Sequence, residues 1–168
     1  MKRILIIAAL VLGLFASGGW LWFHGRDARQ ANMVAFESDV TESLIQGIMQ
    51  EMDADQPKFY FVGFGREKTD PSRLFIARFA THVPQVRGAS SAFMKRNGHL
   101  METSSGRTGV TIQILRLKPI KASQDNGGGG VEALVVFPKS PADENRFNYR
   151  LVQDGGKWVI KYKLATKL

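Results

Sequence analysis

Residues 147–164 spell FNYRLVQDGGKWVIKYKL, the clearest structural pattern in the chain. Apolar residues alternate on both sides of Asp154-Gly155, a dipeptide that accepts the positive φ angles of a tight turn. After the turn, the alternation predicts one apolar strand face made of Trp158, Ile160, Tyr162 and Leu164. The stretch therefore predicts a β-hairpin and an antiparallel sheet.

Strand patterns also precede this hairpin. The dipeptide Asn97-Gly98 predicts a second hairpin, and the alternation in residues 109–121 changes phase near Ile114, which predicts a β-bulge. Residues 127–140 pass from a glycine run into a strand that is apolar on both faces, as expected of a central strand. Residues 58–65, KFYFVGFG, add a short aromatic strand.

A helical pattern lies before the aromatic strand. Apolar residues spaced three and four apart form one stripe, and its members are Met33, Phe36, Val40, Leu44, Ile48 and Met52. Asp39 followed by Glu42 resembles a capping box. We therefore expect a separate helix that starts near Val40 rather than one continuous helix.

The segment VGFGREKTDPS, residues 62–72, looks at first like a phosphate-binding loop. Such a loop needs a lysine and a serine or threonine directly after its second glycine, but Arg66 and Glu67 intervene. Thr69 or Asp70 can cap the next helix, and an acidic cap would repel an anion. The segment is therefore predicted to be a plain loop. The helix after it should carry on one side Phe75, Phe79 and Val83.

The N-terminal stretch favours export. Lys2 and Arg3 precede an uncharged run from Ile4 to Phe23, which is about long enough to cross a bilayer core. A retained transmembrane anchor would give a single-pass inner-membrane protein with its domain in the periplasm. Cleavage of a signal peptide near Gly18 would instead give a secreted domain. The predicted organisation is an anchor or signal peptide in residues 1–24, a helical segment in residues 25–57 and a folded domain in residues 58–168.

The charge of the chain is uneven. The 168 residues carry a net charge of +8 and include no cysteine. Residues 24–65 are net acidic and residues 66–124 are strongly basic. For an exported domain, the basic segment predicts contact with an acidic protein or an anionic membrane surface rather than nucleic acid; a solvated face is the plain alternative. The residues assigned to this surface are Arg87, Lys95, Arg96 and Arg107.

The order of elements resembles the NTF2-like, or cystatin-like, α+β superfamily. The motif that carries the resemblance is Tyr149-Arg150-Leu151-Val152 followed by Asp154-Gly155-Gly156-Lys157-Trp158. With the N-terminal run, the resemblance implies a transmembrane helix followed by helices packed on a strongly curved antiparallel sheet. It implies a fold and no particular activity.

Few residues of the sequence are candidates for catalysis or for binding a metal or cofactor. The histidines are far apart in sequence without ligand spacing, and no serine lies in a nucleophile elbow. We therefore predict no catalytic residue, metal site or cofactor. Aromatic residues that would line a ligand cavity, or fill the core instead, are Phe59, Phe61, Phe75, Phe79 and Trp158.

The predicted function is that of a non-enzymatic, membrane-anchored domain. It would bind a partner protein, a second copy or the membrane surface, as an accessory or scaffold subunit of an envelope assembly. A small-ligand-binding domain is the alternative, and an enzyme of the same fold is a third interpretation.

Overall fold

The computed structural model describes residues 35–52, 59–96, 99–121, 129–140 and 143–166. The chain divides into two compact units, Met1–Ala35 and Phe36–Leu168, and every element below belongs to the second. The helices are α1 (Asp39–Glu51) and α2 (Arg73–Ala77), and a 3₁₀ turn spans Ala89–Ser91. The strands are β1 (Phe59–Phe64), β2 (Gln85–Gly88), β3 (Ala92–Met94), β4 (Leu100–Glu102), β5 (Gly109–Ile120), β6 (Gly130–Ser140), β7 (Asp143–Asp154) and β8 (Lys157–Ala165).

Six of the strands form one mixed sheet in the order β2-β1-β5-β6-β7-β8. Strand β1 runs parallel to both of its neighbours, β2 and β5. The remaining pairs, β5–β6, β6–β7 and β7–β8, are antiparallel. Strands β3 and β4 form a separate hairpin. The sheet is therefore an antiparallel meander extended at one margin by two parallel pairings.

The core lies between α1 and one face of this sheet, which we call the inner face; the opposite face is the outer face. Leu44, Ile45 and Ile48 of α1 are fully buried. The Tyr60 hydroxyl of β1 donates to the Met49 carbonyl oxygen at 3.4 Å. Successive strand residues point to opposite faces, so Tyr60, Val62 and Phe64 lie on the inner face, and Phe59 and Phe61 lie on the outer face.

Helix α1 also contacts the far margin of the sheet. A Cβ atom added to Gly47 would lie 2.5 Å from Ile160 Cδ1 of β8, so glycine permits this close approach. Lys163 Nζ of β8 lies 2.7 Å from Glu51 Oε2. Because three strands separate β1 from β8, the sheet must bend around α1 for both to reach it.

An aromatic row extends the core past α1. Phe36 stacks on Phe64 at 5.1 Å, and Phe64 meets Phe75 edge-on at 5.8 Å. Phe75 in turn meets Phe79 at 5.5 Å, and both are about 2% exposed. Val83, predicted on the same side, is instead 93% exposed because the helix ends at Ala77.

The helix caps differ from those predicted. Helix α1 is preceded by Ser38, whereas Asp39 and Glu42 both bind the Arg78 guanidinium, at 2.9 and 3.1 Å. Ser72 caps α2 by accepting from the Phe75 amide at 3.1 Å. Asp70 accepts instead from the amide and hydroxyl of Ser90, which joins the β1–α2 loop to the 3₁₀ turn.

Several strand predictions are confirmed. The β7–β8 hairpin forms, and β6 lies in the middle of its meander. The turn itself is Gly155-Gly156, both with positive φ, one residue later than predicted, because Asp154 still pairs with Lys157. The register shifts after Ile114, at the predicted bulge. Strands β3 and β4 pair as a hairpin, although Asn97-Gly98 itself lies outside the described residues.

The prediction of one apolar face on β8 is wrong. The register shifts between Arg150 and Leu151, which inserts Lys161 as an extra residue. Trp158 and Ile160 pair with residues of the inner face, but Tyr162 pairs with Arg150 on the outer face. Leu164 follows Tyr162 outward and is 58% exposed. A bulge reverses the alternation that follows it, and the sequence pattern did not reveal this one.

The predicted fold class is also wrong. The sheet is mixed rather than antiparallel, strand dominates the structure, and a single helix of 13 residues packs on the sheet with one short helix beside it. The alternation within individual strands cannot show which strands become neighbours. The structure therefore does not have the NTF2-like architecture.

The predicted membrane segment, residues 4–23, lies outside the described residues. In the ranges that the structure describes, no helix combines the length and apolar character needed to cross a membrane. The predictions of a transmembrane anchor, an inner-membrane location and a periplasmic domain are therefore corrected: the structure does not support them.

Gly109 provides a test of the parallel β1–β5 pairing. A Cβ there would lie 2.7 Å from the Phe59 carbonyl oxygen and 2.3 Å from Phe61 Cε2. We expect Gly109→Ala to lower the free energy of unfolding by about 1–3 kcal/mol, because a backbone atom cannot yield as a flexible side chain does. Urea unfolding measures this, with Lys118→Ala, an exposed change on the same strand, as the control. Equal stability of the two variants would contradict the pairing.

Candidate functional site

The outer face of the sheet carries a hollow rich in arginine. Its volume is about 480 Å³, and its lining residues are Arg66, Gln113, Leu115, Arg116, Leu134, Val136 and Arg146. We call this set the arginine hollow. It lies over the middle of the sheet, where β5, β6 and β7 are neighbours.

The β5 bulge places one of the three arginines. Ile114 pairs with Val135 on the inner face, and the shift then pairs Arg116 with Leu134 on the outer face. If β5 alternated regularly with no bulge, Arg116, two residues after Ile114, would share its inward direction and meet the core. The bulge thus brings a guanidinium group to the outer face beside apolar side chains.

The second arginine is supplied by the loop after β1. The amide of Gln113 donates to the Gly65 carbonyl oxygen at 2.8 Å, and the Gly65 N–H donates to the Ile114 carbonyl oxygen at 2.9 Å. Gly65 has φ of 67°, a conformation that favours glycine. These contacts hold Arg66, the next residue, beside β5. Of the loop predicted from residues 62–72, the first three residues belong to β1 and the loop begins at Gly65. Two of its carbonyl oxygens accept from Gln113.

The third arginine comes from β7. Val136 pairs with Arg146, so both residues share the outer face across β6 and β7. Val136 is buried and Leu134 is half-buried. The floor of the hollow is therefore apolar, and its rim is formed by the cationic side chains.

The charged side chains that line the hollow are all positive. Among the described residues that line it, none is a carboxylate. Arg66 and Arg116 are exposed and form no ion pair with any residue that the structure describes. Each guanidinium offers donors in a planar fork that matches a carboxylate or phosphate. The arrangement can bind an anion that also has an apolar part.

The outer face beyond the hollow adds apolar surface. Tyr162 is 37% exposed, and the Arg150 guanidinium lies 5.9 Å from its ring centroid. Leu164 lies two residues further along the same face of β8. Aromatic and arginine side chains together are typical of protein interfaces.

The predicted partner surface lies elsewhere. Lys95 and Arg96 are exposed after β3, and Arg107 is exposed just before β5. Arg87 lies on β2, where its guanidinium donates to the Gln85 side chain at 3.0 Å and sits 5.9 Å from the Phe59 ring centroid. None of these four residues lines the arginine hollow.

The predicted pocket residues are not brought together. Phe59 and Phe61 stack at 6.1 Å on the outer face of β1, whereas Phe75 and Phe79 belong to the aromatic row near Phe64. All four are buried. Trp158 lies on β8 and lines a groove beside α1.

A buried carboxylate holds the loop that carries Arg107. The Glu102 carboxylate accepts from the Ser105 amide at 2.6 Å and from the amide and hydroxyl of Ser104. Hydrogen bonds from Ser105 and Ser104 lower the pKa of Glu102 from 4.5 to about 2. The ionised carboxylate therefore stabilises the loop between β4 and β5.

Glu102→Gln should lower the melting temperature at neutral pH. The difference from the wild type, which we call the gap, should become smaller in acid. Because the pKa of Glu102 in the folded chain is below its unfolded value of 4.5, the contribution is full above that pH. It declines as pH falls towards about 2. Thermal unfolding of both proteins across this pH range measures the gap. Glu67→Gln, in an exposed loop, is the control, and a gap that stays constant with pH would contradict the assignment.

One ionic cluster lies on the inner face. Burial lowers the pKa of Lys163, but its hydrogen bond to Glu51 and its interaction with the nearby Tyr149 hydroxyl outweigh burial, so the net pKa is raised. Burial raises the pKa of Tyr149 to about 12. At neutral pH the lysine stays charged and the tyrosine neutral, so neither group is poised to exchange a proton. The cluster ties β8 to the end of α1.

Metal-binding side chains do not converge in the structure as described. Within those residues no three histidine, aspartate or glutamate side chains are grouped to hold an ion.

Comparison with known proteins gives no family. No protein-family model, curated protein or solved structure matches this chain.

Sequence reasoning missed all three arginines of the hollow. The bulge near Ile114 was visible as a change of phase, and it was the one available signal for Arg116. Arg66 and Arg146 are 80 positions apart in the chain, and only strand order brings them together.

Proposed function

We propose that this protein is a binding domain that docks an acidic segment of a partner protein in the arginine hollow, and that it is not an enzyme. The observation that supports the proposal most strongly is the set of three guanidinium groups around an apolar floor, with no carboxylate among the described lining residues. Arg66 and Arg116 are exposed and form no ion pair with a described residue, so their like charges repel each other. An acidic ligand would offset that repulsion.

The surroundings of the hollow fit a protein ligand. Leu134 and Val136 offer apolar contact between the charges, and Tyr162 with Leu164 extends that contact along β8. An extended surface of this kind suits a segment in which Glu or Asp alternates with apolar residues. Arginine and aromatic side chains also account for much of the binding energy at protein interfaces.

A small carboxylate is the second candidate ligand. The hollow's volume of about 480 Å³ lies within the range of small-molecule sites. A free ligand would use the same guanidinium groups but none of the apolar surface at Tyr162 and Leu164.

Loss of two arginines should weaken binding of an acidic peptide. The probe is a fluorescein-labelled peptide rich in glutamate and leucine, and anisotropy reads the affinity at several salt concentrations. We expect Arg66→Gln with Arg116→Gln to weaken binding about tenfold or more, since each charge-assisted hydrogen bond contributes about 1.5–3 kcal/mol. The salt dependence should also become shallower, because fewer charges take part.

The matched control is Lys95→Gln with Arg96→Gln, which removes the same charge from the β3–β4 hairpin. It should leave the affinity unchanged. If the Lys95 and Arg96 variant loses affinity and the Arg66 and Arg116 variant does not, the peptide binds at that hairpin and the proposal is contradicted. If N-acetylglutamate competes as well as the peptide does, the ligand is a small carboxylate.

A further inference from the structure

A second depression lies on the other side of the sheet, between α1 and the start of β8. Its volume is about 750 Å³. One wall is the solvent-facing side of α1, and the other is formed by residues 156–160. We call it the α1–β8 groove. It is separate from the arginine hollow, with which it shares no residue.

The helix wall of this groove is a stripe of polar side chains. Asp39, Ser43, Gln46 and Gln50 follow one another at spacings of three and four, which places them on one side of the helix. Ser43 and Gln50 make no side-chain hydrogen bond to any described residue, and the Gln46 amide donates to Glu42 at 3.1 Å. The wall therefore presents both hydrogen-bond donors and acceptors.

The strand wall contributes an aromatic ring. Trp158 pairs with Gln153 and lies on the inner face, and its side chain is half-buried in the groove. Within the described part of the chain, its indole stacks on no other ring and no cation. Gly47 keeps the helix close to Ile160, so the two walls of the groove approach each other there.

The charges of the groove are balanced internally. Asp39 and Glu42 share Arg78, and Glu51 binds Lys163 at 2.7 Å. Lys157 lines the groove as a third cation against these three carboxylates. A charged ligand therefore gains little here, unlike in the arginine hollow. The site favours a neutral ligand that hydrogen-bonds extensively and has a flat apolar face.

We propose that the α1–β8 groove binds a neutral oligosaccharide. A pyranose ring has hydroxyl groups around its edge for the polar stripe and C–H groups on its face to pack on the Trp158 indole. An extended peptide fits less well, because regular strand addition to β8 is interrupted by the Lys161 bulge. This site is independent of the proposed binding of an acidic partner.

Calorimetric titration of the full chain with cellotetraose, tetra-N-acetylchitotetraose and maltotetraose tests the proposal. We expect at least one of them to bind with a dissociation constant below about 1 mM, which is typical of a shallow groove with few contacts. Trp158→Ala should weaken that binding about tenfold, whereas Trp158→Phe should retain part of it, because a smaller ring still packs on the sugar. Ser43→Ala with Gln50→Ala should weaken it several-fold.

Two controls separate this site from other causes. Phe93→Ala removes an exposed aromatic ring from β3 and should leave oligosaccharide binding unchanged. Arg66→Gln with Arg116→Gln should also leave it unchanged, so failure of either proposal is visible without the other. Thermal unfolding shows whether each variant is folded. If none of the three sugars binds at millimolar concentration, or if folded Trp158→Ala binds as tightly as wild type, the proposal is overturned.

Discussion

The packing of α1 against both β1 and β8 is the constraint on which the other features depend. Met49 accepts a hydrogen bond from Tyr60 of β1, and Gly47 admits Ile160 of β8. A flat sheet would hold these strands about 19 Å apart, since neighbouring strands are about 4.8 Å apart. One helix about 10 Å wide can meet both only if the sheet bends. The inner face therefore closes on α1, and the arginine hollow lies on the outer face over β5, β6 and β7.

Two bulges change which face of the sheet the side chains of β5 and β8 point to. The bulge after Ile114 brings Arg116 to the outer face, and the bulge at Lys161 turns Tyr162 and Leu164 the same way. Each bulge lets one strand contribute inward apolar residues in one half and outward binding residues in the other. Trp158 and Ile160 precede the Lys161 bulge, so they stay on the inner face, next to α1. The chain thus obtains two chemically different surfaces, one cationic and one neutral.

The sequence predicted individual elements better than their arrangement. Glycine turns and alternation are local signals, and they correctly indicated the β7–β8 hairpin, with its turn displaced by one residue, and the bulge near Ile114. The parallel pairing of β1 with β5 has no local signal, since it joins Phe59 to Gly109 across a helix, a 3₁₀ turn and three strands. Because the NTF2-like resemblance rested on the β7–β8 hairpin motif, it could not specify the rest of the sheet. The arginine hollow was missed for the same reason, as its residues meet only through strand order.

The parallel arrangement of β1 has a consequence for the order of folding. Strands β5 to β8 are joined to their partners by consecutive connections, so their pairings need little loop closure. Strand β1 must wait for partners that follow it by tens of residues, and closing such loops is entropically slow. The meander is therefore expected to assemble first and to act as the template on which β1, β2 and the helices are added. Until then, the edge of β5 is uncovered, and this is the stage at which the chain is most exposed to intermolecular pairing.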